Sequence, residues 1–156
     1  LLEGYDCQLI KDKDRIFWKR VVVVSIKKSY LRVVTIGDNE IYPGFNVRCF
    51  NNFELMKDRI WFNRDKIQFP LIIRSRNAGD FLGLSEGKKT IKKILNEWCV
   101  KPSDRWKIPI IEDRTGIIAV LGRPFGHRNR IADKYKNYSV DKDLIVISAG
   151  YMENLK

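Results

Sequence analysis

No apolar run in this chain is longer than a strand. The longest, "VVVVSI" at 21–26, falls far short of the roughly 20 residues that a membrane-spanning helix needs. Similar short runs recur. "CQLI" at 7–10, "RIFWKRVVVVSI" at 15–26 and "YLRVVTI" at 30–36 are β-branched and aromatic, with charged or polar turns between them. "FNVRCF" at 45–50 alternates, "IWF" at 60–62 is a short apolar piece, and "DLIVIS" at 143–148 reads as a closing strand. Gly37-Asp38-Asn39 and Pro43-Gly44 read as turns. "IPIIEDRTGIIAVLG" at 108–122 reads as a hairpin whose apolar arms, 108–111 and 117–121, flank a polar turn ending in Gly116. Strands this short, at this spacing, predict a β-rich, sandwich-like body rather than a parallel βαβ sheet.

One further strand is expected in "FPLIIRSR" at 69–76. Leu71 and Ile73 would point one way, Ile72 and Arg74 the other, and Arg76 would share the face of Arg74 if the strand continues that far. The one clear helical pattern is 88–99, "KKTIKKILNEWC". Ile91, Ile94, Leu95 and Trp98 form an apolar stripe at helical spacing. Lys88, Lys89, Lys92 and Lys93 fan out beside it, near the first turns, where they oppose the helix dipole unless an anion lies there. The fold class is therefore α+β: a β-rich, sandwich-like domain with a basic amphipathic helix at about 88–99 packed on the sheet. Residues 1–54 read as a β-rich lead-in within the same compact unit, and 55–156 as the main domain.

The beginning of the chain, "LLEGYDCQLIKDKD", turns charged before a signal-peptide core could build up, and it lacks an initiator Met, as expected of a piece of a longer chain. Cys7, Cys49 and Cys99 are widely spaced without a CxxC, which argues against a disulfide framework or a zinc site and for a reducing cytoplasm. Hydrophobic residues make up 44% of the chain, enough for a packed core.

Charge is where the chain is most unusual. The net value is +11, and residues 74–136 alone carry 15 basic and 7 acidic groups. Such a block attracts a polyanion. Chemistry is harder to place. There is no GxxxxGK[ST] and no GxGxxG; "GLSEGKKT" at 83–90 has its glycines four apart where a P-loop needs five. The single histidine, His127, excludes paired-His catalysis and His-rich metal sites. Asp80, Asp104, Glu112 and Asp113 show no two-carboxylate spacing that stands out; Asp80 after Gly79 reads as a turn-structuring pair, and Glu112 and Asp113 as hairpin-turn residues. The cationic set is Arg74, Arg76, Lys88, Lys89, Lys92 and Lys93, with Arg105, Arg123, Arg128 and Arg130 added. Guanidinium forks and ammonium charges suit phosphate oxygens, and structured RNA is read largely by shape and backbone. One or two of these arginines are expected to pair with Asp80, Asp104 or Asp133 instead.

Taken in order, these residues resemble the C-terminal domain of tRNA(Ile)-lysidine synthetases. "FPLIIRSRNAGDF" is similar to that family's Pro-Leu-x-(Ile/Val)-Arg-x-Arg-x-x-Gly-Asp motif, at Pro70, Leu71, Arg74, Arg76, Gly79 and Asp80. "GKKTIKKIL" resembles its Lys-Lys-x-x-Lys element at Lys88, Lys89 and Lys92, "RWKIPII" its Arg-x-x-x-Pro element at Arg105 and Pro109, and "GIIAVLGRPF" its closing hairpin at Gly122 and Arg123. The match covers roughly 55–136. Phe81 stands where the family usually has a basic residue, and the family's Ser-Gly-Gly-x-Asp-Ser ATP-pyrophosphatase motif is absent.

The resemblance implies a non-catalytic domain with no cofactor of its own. The parent would be a carbon–nitrogen ligase using ATP and lysine, with magnesium, at the wobble cytidine of tRNA(Ile). It implies two partners, the tRNA, notably its acceptor stem, and an N-terminal catalytic domain. The cysteine usage and the short apolar runs add the expectation of a cytoplasmic location without a membrane. Two readings compete with it: a metal-dependent nucleic-acid-processing enzyme using Asp80 and Asp113, and a protein-interaction module docking on its catalytic domain.

Overall fold

The computed structural model describes the backbone of residues 2–12 and 15–25, and residues 29–51, 59–137, 139 and 143–151 in full. In chain order the strands are β1 (Leu2–Asp12), β2 (Arg15–Ser25), β3 (Leu31–Val33), β4 (Gly37–Tyr42), β5 (Phe45–Phe50), β6 (Ile60–Asn63), β7 (Ile72–Arg74), β8 (Phe81–Leu84), β9 (Gly87–Thr90), β10 (Ile110–Asp113), β11 (Gly116–Val120), β12 (Arg130–Ile131) and β13 (Leu144–Tyr151). The helices are α1 (Ile91–Glu97) and α2 (Asp133–Lys136), with 3₁₀ turns at Arg64–Lys66, Pro102–Lys107 and Arg123–Phe125. β1 and β2 form an antiparallel hairpin. A five-stranded sheet runs β12-β11-β10-β7-β3 and a four-stranded one β4-β5-β13-β6, while β8 and β9 make a separate ribbon.

The two larger sheets share one core. Ile73, Ile110, Ile118 and Val120 come from the first; Phe45, Val47, Phe62, Ile145 and Ile147 come from the second. Period-two alternation explains the second sheet well: Ile145 and Ile147 enter this core, while Leu144 and Val146 join Trp61 in a smaller cluster. The chain crosses between sheets at 34–36, and Asn39 holds that crossing. Its Oδ1 accepts from the Thr35 amide at 2.8 Å, and its Nδ2 donates to the carbonyls of Thr35, Gly37 and Val47. Gly37-Asp38-Asn39, expected as a turn, is thus the start of β4, with the left-handed Gly37 (φ 104°) making the bend.

The helix is shorter than expected at its start. Lys88 and Lys89 belong to β9, paired with Gly83 and Leu82 of β8. The helix begins only at Ile91, because Thr90 is its N-cap and its hydroxyl accepts from the Lys93 amide at 3.2 Å. Ile91, Ile94 and Leu95 are buried and Trp98 caps the far end; full burial of each aliphatic side chain stabilises by about 1.5–3 kcal/mol. Two lysines, not four, therefore sit in the first helical turn. β7 ends at Arg74, so Arg76 does not share its strand face.

Candidate nucleic-acid interface

The Arg-Ser-Arg-Asn-Ala-Gly-Asp segment folds back on itself. Gly79 takes the left-handed conformation (φ 84°) that turns the chain, and Asp80 Oδ2 then accepts from the Asn77 amide at 2.6 Å. The same carboxylate receives the Arg74 guanidinium, Nη1 to Oδ2 at 2.8 Å and Nη2 to Oδ1 at 3.0 Å. Arg74 is 8% exposed; it also donates to the Ser75 carbonyl and pairs with Glu112 Oε2 at 2.7 Å across the β7–β10 ladder. These carboxylates raise the Arg74 pKa further above its usual value, Asp80 contributing most and burial working against it. Burial would raise Asp80, but Arg74 and the Asn77 amide outweigh it and hold the carboxyl below its ordinary range. Arg74 is therefore engaged inside the protein, while the half-buried Arg76 has no ion pair among the described residues.

Asp113 is a second internal hub. It is buried, and it accepts from the Gln68 amide, from the Thr115 amide and hydroxyl, and from the Tyr135 hydroxyl at 2.7 Å. Burial alone would raise its pKa; these four donors bring it below the usual value. Burial, together with Asp113, pushes the Tyr135 phenol up to about 12. Glu112, expected in the hairpin turn, is a β10 residue paired with Arg74, and the turn itself is Arg114-Thr115.

The remaining cations lie on β9, α1 and the 122–130 loop. Lys88 is exposed, with its Nζ 4.2 Å from the centroid of the Phe81 ring. Lys89 pairs with Glu97 Oε2 at 2.7 Å. That ammonium, with Lys93 and Arg130 near it, holds Glu97 below the usual carboxylate range. Lys92 and Lys93 are exposed. Arg105 buttresses the end of α1, donating to the Val100 carbonyl at 3.0 Å and Asn96 Oδ1 at 2.7 Å. Arg123, Arg128 and Arg130 are exposed.

Trp98 stacks on His127 at 5.0 Å between centroids and 2° between planes, which fixes the loop against the helix end. Gly122 makes this possible, since a Cβ there would lie 2.6 Å from Trp98 Cη2 and 2.9 Å from the Arg128 carbonyl oxygen. Lys89, Lys93 and Arg130 converge on Glu97, whereas Arg74 is buried and paired with Asp80 and Glu112.

Sequence reasoning missed the β8–β9 ribbon and the role of Ser75. The Ser75 hydroxyl accepts from the Tyr30 amide and donates to the Trp106 carbonyl, both at 3.0 Å. A lone serine between two arginines carries no pattern that would reveal this. Among the described residues no group of three or more His, Cys, Asp or Glu could hold a metal ion, and no helix is long and apolar enough to cross a membrane. Cys49 is buried and Cys99 exposed, both free; the side chain of Cys7 lies outside the described residues.

Residues 71–141 match the family model described as the TilS substrate C-terminal domain. Similar curated proteins are the tRNA(Ile)-lysidine synthases of Treponema pallidum, 38% identical over 66 residues, and of Clostridioides difficile, 32% identical over 87 residues. These matches cover 42% and 56% of this chain but only 14% and 18% of the relatives, so the chain aligns with less than a fifth of their length. A solved structure of the TilS C-terminal domain is similar in fold, with a TM-score of 0.67 and 20% identity over 80% of this chain and 98% of that one. The fold and the family match agree: residues 71–141 form a TilS substrate C-terminal domain, the C-terminal domain of tRNA(Ile)-lysidine synthases.

Proposed function

We propose that this chain is the non-catalytic, tRNA-binding part of an ATP-dependent tRNA(Ile)-lysidine synthetase, and that it meets the acceptor stem of the tRNA. Ligation of lysine to the wobble cytidine, with ATP and magnesium, takes place on an N-terminal catalytic domain in the cytoplasm. Residues 55–156 form the binding domain and 1–54 its lead-in. Pairing of β3 with β7 and of β5 with β13 supports one unit for both.

The observation that carries this reading is the separation of the charges. Arg74 is neutralised internally by Asp80 and Glu112, while Lys88, Lys92, Lys93, Arg128 and Arg130 stay exposed. The exposed set is assigned to phosphate contact, with Arg76, Lys89 and Arg123 beside it. Arg74, Gly79 and Asp80 hold the turn, and Arg105 positions the end of α1. Such contacts are largely independent of sequence and fall with salt. Binding of a tRNA(Ile) transcript by the chain, titrated with salt, tests the reading; an affinity insensitive to salt would refute it.

Metal-dependent catalysis by Asp80 and Asp113 is disfavoured, because their oxygens already accept from Arg74, Asn77, Thr115, Tyr135 and Gln68. Contact with the catalytic domain is supported by β3, an edge strand that exposes Leu31 (58%) and Val33 (56%).

A further inference from the structure

Phe81 is a large apolar side chain left 42% exposed at the start of β8. The Lys88 ammonium sits over its ring, a cation–π contact. The same ring lines a cavity of about 670 Å³, whose walls include Leu84, Ile117 and Glu112 and where Gly83 and Gly116 add no side chain. The volume falls within the roughly 300–1,000 Å³ of small-molecule sites. Glu112 Oε2 is held by Arg74, but Oε1 has no hydrogen bond among the described residues. Lys134 lies in the same lining. A flat ring, an ammonium beside it, apolar walls and one open carboxylate oxygen make a specific combination.

We propose that this cavity takes one unpaired nucleobase of the RNA. The base stacks on Phe81, an exocyclic amine donates to Glu112 Oε1, and the flanking phosphate meets Lys88. Unpaired bases are the part of RNA that proteins stack on aromatic rings. A carboxylate acceptor favours a base with an amino group, such as cytosine, over uracil, which presents a carbonyl at that position. A cation stacked on the ring leaves a phosphate-binding charge next to the base. The inference rests on the RNA-binding reading above and adds to it a base-stacking site.

The test uses the 156-residue chain with labelled hexamers of cytidine, adenosine and uridine, and with the tRNA transcript. Cytidine and adenosine hexamers are expected to bind more tightly than uridine. Phe81→Ala and Phe81→Leu are expected to weaken the favoured hexamers by about 5- to 100-fold, while both variants still fold and still bind tRNA in a salt-dependent way. Phe81→Trp is expected to retain binding. Leucine keeps apolar bulk without a ring, so a Phe81→Leu chain that binds like the parent overturns the site, as does equal binding of all three hexamers. Loss of the site alone leaves salt-dependent tRNA binding intact; a parent chain that binds no RNA overturns both this inference and the reading beneath it.

Discussion

Arg74 and Asp80, six positions apart, grip each other through two parallel hydrogen bonds of 2.8 and 3.0 Å. The pair closes the turn that leads into the β8–β9 ribbon, so the exposed lysines depend on it for their place. Lysine cannot reproduce the fork. Arg74→Ala leaves two carboxylates facing each other in a largely buried setting and is expected to cost about 3–5 kcal/mol. Arg74→Lys should cost less, but still measurably. Urea unfolding of both variants checks this. The folded Arg74→Lys chain should keep most of its tRNA affinity, because that guanidinium faces carboxylates rather than solvent.

Acid should act through the same pair and through Asp113. Both carboxyls release their protons more readily in the folded chain than in the unfolded one. Above the unfolded aspartate value of about 3.9, both states are ionised and the full stabilisation is present. As the pH falls below it, the unfolded chain takes up protons first, and stability is lost down through the folded values. Thermal midpoints measured from pH 6 to pH 2 should therefore drop steeply below about pH 4. Asp113→Asn should start from a lower midpoint and show a shallower acid limb.

Much of this was legible in the sequence, and the misses have physical causes. The core strands followed their apolar alternation, and the stripe of Ile91, Ile94 and Leu95 marked the helix. Lys88 and Lys89 read as helical in the sequence because lysine fits a helical face as well as a strand. Thr90, a cap placed between two lysine pairs, decides the boundary, and its role depends on where Ile91 packs. The β8–β9 ribbon escaped notice because glycine and lysine carry little strand signal. Arg74 and Arg76 look alike in sequence; only the partners that tertiary folding brings, Asp80 and Glu112, separate them.

Gly122 offers a local test of how the basic loop is held. Alanine there would place a methyl group 2.6 Å from Trp98 and 2.9 Å from a carbonyl oxygen. Overpacking of this kind costs about 1–3 kcal/mol. Gly122→Ala should lower the unfolding midpoint and shift the tryptophan emission as the Trp98–His127 stack opens. It should also weaken tRNA binding by displacing Arg128 and Arg130.

The central claim is that the exposed cations of β9 and α1 hold phosphates. The most direct measurement is the slope of log affinity for tRNA(Ile) against log salt, for the parent chain, for Lys92→Gln/Lys93→Gln, and for Arg32→Gln on the edge strand β3. Each lost phosphate contact should reduce the slope by about 0.7–0.9. The double variant is expected to bind more weakly and with a slope about 1.5 shallower, and the Arg32→Gln chain to match the parent. Equal slopes for the parent and the lysine variant would contradict the assignment.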